Sequence, residues 1–234
     1  MLKVGYNNKP NKHGFELGDT IEFGGIEWAV IQTDKTRIKC ISSGIIERRA
    51  FNTSFRPNRN NYYFSDLRKY LNGGFIRRLI DAGAPINALV AFGLNLRSED
   101  GEDDYMNTSC CDRINLITCD EYRNLREFIP PIKASGKSSQ FINGAWWTAT
   151  PVRIRPRPYT LKIINQDGSL DSRFPDDVSG VRPTCCLNTQ ILSANISKKE
   201  KRRKQVTQFV KKIVADWNIG ADELYKEKGE AHVQ

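Results

Sequence analysis

The sequence predicts an α+β fold followed by a C-terminal amphipathic helical extension. Three observations predict it. Strand-type stretches gather near the start and again before residue 190, two capped helical patterns lie between them, and a regular apolar stripe runs from Val206 to Trp217. These changes of pattern divide the chain into an N-terminal arm at 1–17, a domain at 18–192 and a basic helical extension at 193–234.

Composition permits such a domain. Of 234 residues, 39% are hydrophobic and 10% aromatic, enough to build a core and to exclude wholesale disorder. No apolar run approaches the roughly 20 residues that span a bilayer. Met1 to Tyr6 lack the apolar segment of a signal peptide. The expectation is a protein with no membrane span, made in the cytoplasm.

Taken in order, residues 1–17 are polar and read as a lead-in. Thr20-Ile21-Glu22-Phe23 alternates, Gly24-Gly25 is a hairpin signal, and Glu27 to Ile31 answers it. Arg37 to Ile41 follows the Thr33-Asp34-Lys35-Thr36 turn, which completes a meander. The Asn-, Arg- and Tyr-rich stretch 52–63 reads as a surface loop. Ser65 caps a helix in which Leu67, Tyr70 and Leu71 share a face. Gly73-Gly74 interrupts it, and Phe75, Leu79 and Ile80 resume the pattern. The acidic stretch 97–104 reads as a solvated loop. Asp112 to Ile117 looks like a strand. Thr118 and Glu121 make a capping box for a second helix, with Tyr122, Leu125 and Phe128 inward, which Pro130-Pro131 ends. Beyond a Gly/Ser/Lys-rich loop at 134–139, strands are expected at 145–149, 159–164 and 182–187, with an Asn165-Gln166-Asp167-Gly168 turn.

Five of these elements carry a resemblance. They are Gly18-Asp19-Thr20-Ile21-Glu22-Phe23-Gly24 with Trp28-Ala29-Val30-Ile31; Ser65-Asp66-Leu67-Arg68 with Leu71-Asn72; Leu116 to Tyr122; Trp146-Trp147-Thr148-Ala149-Thr150-Pro151; and Gly180-Val181-Arg182-Pro183. In this order they resemble an uncharacterised family of bacterial and phage domains. Their ending is similar to that of C-type-lectin-like proteins of the formylglycine-generating-enzyme type. The resemblance covers about residues 18–190 and implies a C-type-lectin-like twisted antiparallel sheet with two flanking helices. It implies a phage or mobile-element protein, made in a host bacterial cell or carried with the virion. It fixes no activity, because such folds host ligand binders and enzymes alike. Arg182 reads as a buried guanidinium that ties carbonyls or a carboxylate together. Two departures add positive charge. The chain continues to Gln234 beyond its Gly-Val-Arg-Pro element, and Val152 to Pro158 is unusually basic.

Catalytic chemistry is not legible. Six cysteines, Cys40, Cys110, Cys111, Cys119, Cys185 and Cys186, form no CxxC pair and read as reduced, mostly buried thiols. The two histidines, His13 and His232, stand near opposite ends and leave few ligands for zinc. No phosphate-binding glycine motif is present. The expectation is therefore no catalytic residue, no metal, no cofactor and no enzyme.

Binding is the alternative to catalysis. The expected domain presents loops at 52–63, 134–144 and 152–158 to a protein or glycan. The ligand-contact candidates are Arg56, Arg59, Tyr62, Trp147, Arg153, Arg155 and Arg157. One ring of the Trp146-Trp147 pair should face the core, and the other should face out, because strand side chains alternate. Of the net charge of +9, +4 lies from Lys198 onward. Lys198, Lys199, Lys201, Arg202, Arg203 and Lys204, with Lys211 and Lys212, are candidates for nucleic-acid phosphates. Val206, Phe209, Val210, Ile213, Val214 and Trp217 form the stripe that docks this helix. Two readings stand. In one, the stripe docks on the domain, a second copy, a protein partner or a membrane surface. In the other, the chain is a nucleic-acid-associated accessory or inhibitor of a nucleoprotein machine, anchored by the basic run.

Overall fold

Three strands, β1 (Thr20–Phe23), β2 (Ile26–Thr33) and β3 (Arg37–Ser42), form the expected antiparallel meander. The computed structural model describes residues 11, 13–54, 58–99, 101, 109–132, 144–152, 159–194 and 208. Gly24 and Gly25 turn the first hairpin at φ +62 and +70, the left-handed region that glycine enters without a side-chain clash. A Cβ on Gly24 would also stand 2.6 Å from Leu79 Cδ2 and 3.2 Å from Leu79 Cα. The turn needs glycine both for its conformation and for its approach to a helix.

That helix starts at the Ser65 cap, whose hydroxyl accepts from the Arg68 amide, and comprises α1 (Asp66–Tyr70) and α2 (Ile76–Asp81). The expected interruption at Gly73-Gly74 does not occur. Leu71–Phe75 instead form a π-type turn that joins the two pieces without a break. The buried residues are Leu67, Leu71, Phe75 and Leu79, each four from the last. In a pure α-helix such a stripe drifts by about 40° per step, and the wider π turn takes up part of that drift. Ile80, expected inside, is 45% exposed as a result. Within the π turn, the Asn72 amide donates to the Ile114 carbonyl at 2.8 Å and accepts from its amide at 3.1 Å.

Eight short elements follow the meander around this helix: β4 (Glu47–Ala50), β5 (Leu89–Val90), β6 (Phe92–Asn95), β7 (Ser109–Asp112), β8 (Ile114–Leu116), α3 (Cys119–Leu125), β9 (Trp146–Pro151) and β10 (Leu161–Ile164). The last three strands are β11 (Leu170–Arg173), β12 (Val178–Val181) and β13 (Pro183–Asn188). The Thr118–Glu121 capping box is present at α3. One sheet runs β1-β2-β3-β13-β5, with β8 also paired to β13. The second runs β11-β10-β9-β12-β4, and β6-β7 form a separate ribbon. Every pairing is antiparallel except that of β12 with β9. The domain is thus mixed α+β, mostly antiparallel, with few helices. A core formed by Ala29, Ile31, Ile41, Ile117, Tyr122, Leu125, Ile129, Trp146 and Ile164 draws on both large sheets and on α3.

The described part of the stretch 52–63 is a surface loop only in part: Thr53 is exposed, but other residues turn inward. Asn52, Asn60, Asn61 and Tyr62 are buried. Their amides serve loop backbone, as when Asn60 donates to the Val152 and Thr160 carbonyls at 3.2 and 3.1 Å. Side-chain amides are buried here because irregular backbone carries carbonyls that no ladder satisfies.

The chain divides into two compact units, Met1–Ile191 and Leu192–Gln234. In the second, residues 192–194 and 208 are helical, and Gln208 is exposed. Among the described residues, no helix is long and apolar enough to cross a membrane.

Candidate functional site

The described residues converge on β9, whose six residues are all buried. Trp146 and Trp147 point to opposite faces of it, and both faces are covered. This corrects the expected outward ring. Trp147 is 0% exposed, packs against Phe51 with ring centres 5.7 Å apart, and donates its indole N–H to the Arg49 carbonyl at 2.8 Å. Tyr62, also 0% exposed, packs against the same Phe51 ring with centres 6.1 Å apart. Neither ring offers a face to a ligand.

The Trp146 face is built differently. Tyr122 of α3 meets the Trp146 ring edge-on, centres 5.9 Å apart, and the Arg182 guanidinium lies 4.8 Å from the Trp146 ring centre. Arg182 is buried. Its Nε donates to the Ser42 carbonyl at 3.1 Å, and its Nη2 to the carbonyls of Ser42, Ser43 and Pro130 at 2.9, 3.1 and 3.1 Å. The side chain therefore ties the end of β3 to the turn after α3, the role the sequence suggests for it. No described carboxylate forms an ion pair with it. Burial lowers its pKa to about 10, so it remains charged at neutral pH.

Beside these groups is a cavity of about 470 Å³. One wall is apolar, from Ile129, Pro130, Pro131, Ile132, Trp146 and Ile164. The β10–β11 turn, Asn165 to Gly168, and Arg126 and Glu127 line the rest of it. The turn is rigid for local reasons. The Asp167 carboxylate accepts from the Ser169 amide at 2.9 Å and from the Ser169 hydroxyl at 2.6 Å, which holds its pKa below the usual carboxylate range. Gly168 has φ +83, and its carbonyl accepts from the Tyr122 hydroxyl at 3.0 Å. A Cβ there would come within 2.7 Å of that hydroxyl. Burial raises the Tyr122 pKa, so its hydroxyl keeps its proton and continues to donate.

The other sequence candidates fall elsewhere. Arg59 is described, and it pairs with Asp176 at 3.4 Å and faces the Phe174 ring at 5.8 Å. Arg56, Arg153, Arg155 and Arg157 lie outside the described residues, as do most of the 134–144 and 152–158 loops. So do Lys198, Lys199, Lys201, Arg202, Arg203, Lys204, Lys211 and Lys212, and the stripe Val206, Phe209, Val210, Ile213, Val214 and Trp217. In the acidic stretch, Glu99 is not merely solvated, since it pairs with Lys162 at 2.8 Å. All six cysteines are free thiols, and Cys40 stands opposite Cys185 across β3 and β13. Burial pushes the pKa values of Cys110 and Cys186 up to about 12, and that of Cys185 well above the ordinary value.

Sequence reasoning missed the cavity. Its walls come from four separate segments of the chain, around 122–132, 146, 164–168 and 182. The only local signals were the Pro130-Pro131 stop and the Asn165-Gln166-Asp167-Gly168 turn, each of which reads as punctuation. Comparison with protein-family models, curated proteins and solved structures finds no match to the chain.

Proposed function

We propose that residues 18–192 form a C-type-lectin-like binding module of a phage or mobile element, and that its ligand, a protein or glycan group, enters the cavity between α3, β9 and the β10–β11 turn. One observation carries this reading. A cavity of about 470 Å³ joins an apolar wall to fixed polar groups, the combination that characterises small-ligand seats. Support for the fold comes from the return of β13 to β3, which brings an early and a late strand together, and from the buried arginine of the Gly180-Val181-Arg182-Pro183 element. The module acts by binding, and no catalytic role is assigned to it. The test is a fragment screen by ligand-observed NMR on the full chain and on Ile132→Trp, a change at a partly buried apolar position of the wall. Hits that weaken at least about fivefold in the variant place the ligand in the cavity. Hits that bind both proteins equally place it elsewhere and overturn the reading.

The second reading is a nucleic-acid-associated accessory or inhibitor protein. It rests on the excess of ten Lys/Arg over six Asp/Glu from Lys198 onward. Phosphate contacts by this run would be steeply salt-dependent and indifferent to base sequence. Replacing Lys198, Lys199, Lys201, Arg202, Arg203 and Lys204 with Gln should abolish low-salt binding to labelled single- and double-stranded DNA. Equal binding by the variant and the original chain eliminates this run as the anchor.

A further inference from the structure

We infer that the ligand of this cavity is a monocarboxylate with an apolar body, its carboxylate taken by Arg182. The inference rests on the reading of the cavity as a ligand seat and adds the chemistry of the ligand.

Arg182 is 1% exposed, yet it lines the cavity. All of its hydrogen bonds leave from Nε and Nη2. Among the described residues, nothing accepts from Nη1, so one edge of a buried guanidinium is left unused at a cavity wall. The partners on the other edge are carbonyls, which orient the group without neutralising it. A buried charge without a counter-charge is costly. The depressed pKa of Arg182 expresses that cost. A carboxylate in the cavity would supply the missing charge through charge-assisted hydrogen bonds.

The remaining lining narrows the class. Arg126, Glu127 and Asp167 border the same cavity, so with Arg182 its charged lining is two cations and two carboxylates, and a singly charged ligand fits that balance best. Ile129, Pro130, Pro131 and Ile132 give the body of the ligand an apolar surface. The Tyr122 hydroxyl, which would suit a sugar, is already committed to Gly168. An aromatic or branched-chain acid fits this wall better than an acidic sugar does.

The experiment titrates the full chain with phenylacetate, indole-3-acetate and 3-methylbutanoate, followed by calorimetry and NMR. Phenylacetamide and 2-phenylethanol serve as neutral counterparts, and glucuronate as the acidic sugar. At least one apolar carboxylate should bind, with its neutral counterpart at least about tenfold weaker. Affinity should be level from pH 6 to 9 and fall below about pH 5 as the acid protonates. Ile132→Trp should weaken binding without touching Arg182, so the result does not depend on an arginine variant that folds poorly. If the neutral probes bind as tightly as the acids, the carboxylate inference fails while the cavity stands as a ligand seat. The inference also fails if glucuronate outcompetes the apolar acids, if the acids bind Ile132→Trp unchanged, or if none binds at millimolar concentration.

Discussion

Trp146 and Trp147 are neighbours in sequence and occupy opposite faces of one strand, yet their surroundings differ in kind. The Trp147 face is a closed aromatic layer with Phe51 and Tyr62, its indole N–H satisfied by Arg49. The Trp146 face borders a cavity with a charged, partly unused guanidinium at its wall. A closed layer gains stability from every contact it makes. A face that keeps an open volume beside a buried cation gives up contacts and desolvation energy. The Trp147 face is closed, whereas the Trp146 face belongs to the core and also borders an open volume.

The largest effect that tests this contrast is Trp147→Ala. It should cost about 3–5 kcal/mol in urea denaturation, because a large ring leaves a dry, crowded site. A loss below about 1 kcal/mol would mean that the layer is not the structural face. Next comes Arg182→Leu, expected to cost about 2–4 kcal/mol. A leucine relieves the buried charge but strips the Ser42, Ser43 and Pro130 carbonyls of their donor. A stabilised variant would show that the cation, rather than its hydrogen bonds, dominates the site.

The buried titratable groups shift in opposite senses. Burial raises the Tyr62 pKa well above its ordinary value, and those of Cys110 and Cys186 to about 12. Their contribution is complete below their unfolded pKa values and is lost as pH rises toward the folded ones. Arg182 is held at about 10, below the ordinary guanidinium value, so above about pH 10 it recovers stability as pH rises. The acids are more numerous, and the urea midpoint should fall between pH 9 and 12. Tyr62→Phe should flatten the part of that fall above about pH 10, in proportion to its remaining stability. A midpoint that rises over this range would contradict the burial of these groups. Smallest of all, Ile132→Trp should change stability by less than about 1 kcal/mol, since it enters space beside the core rather than a packed site. A larger loss would show that the volume is not free to accept a side chain.

Much of the fold was legible because local signals carried it. The meander, the Ser65 cap, the Thr118–Glu121 box and the Asn165 to Gly168 turn each depend on residues a few positions apart. β4, β5, β6, β7 and β12 were not legible. They are short, and β4 reads Glu-Arg-Arg-Ala, a polar run that becomes a strand only because β12 offers it a ladder. The helix across Gly73-Gly74 was misread for a related reason. Glycine weakens an isolated helix, but Asn72 bonded to Ile114 and four buried apolar side chains hold this one together. Of the candidate site, the role of Arg182 could be anticipated from its motif. Its neighbours could not.

Local sequence carries the mixed α+β class and the caps and turns that start and stop its elements, because these depend on residues a few positions apart, while the burial of Arg182 was what the resemblance implied. Tertiary structure alone decided that both tryptophans are interior, that the asparagines of 52–63 serve backbone rather than solvent, and that a cavity opens beside Trp146. Alternation in a strand says which side chains share a face, but not whether that face meets water, a second layer or an empty volume. That depends on what distant segments bring to it: Phe51 and Tyr62 on one side of β9, and Tyr122, Asp167 and Arg182 on the other.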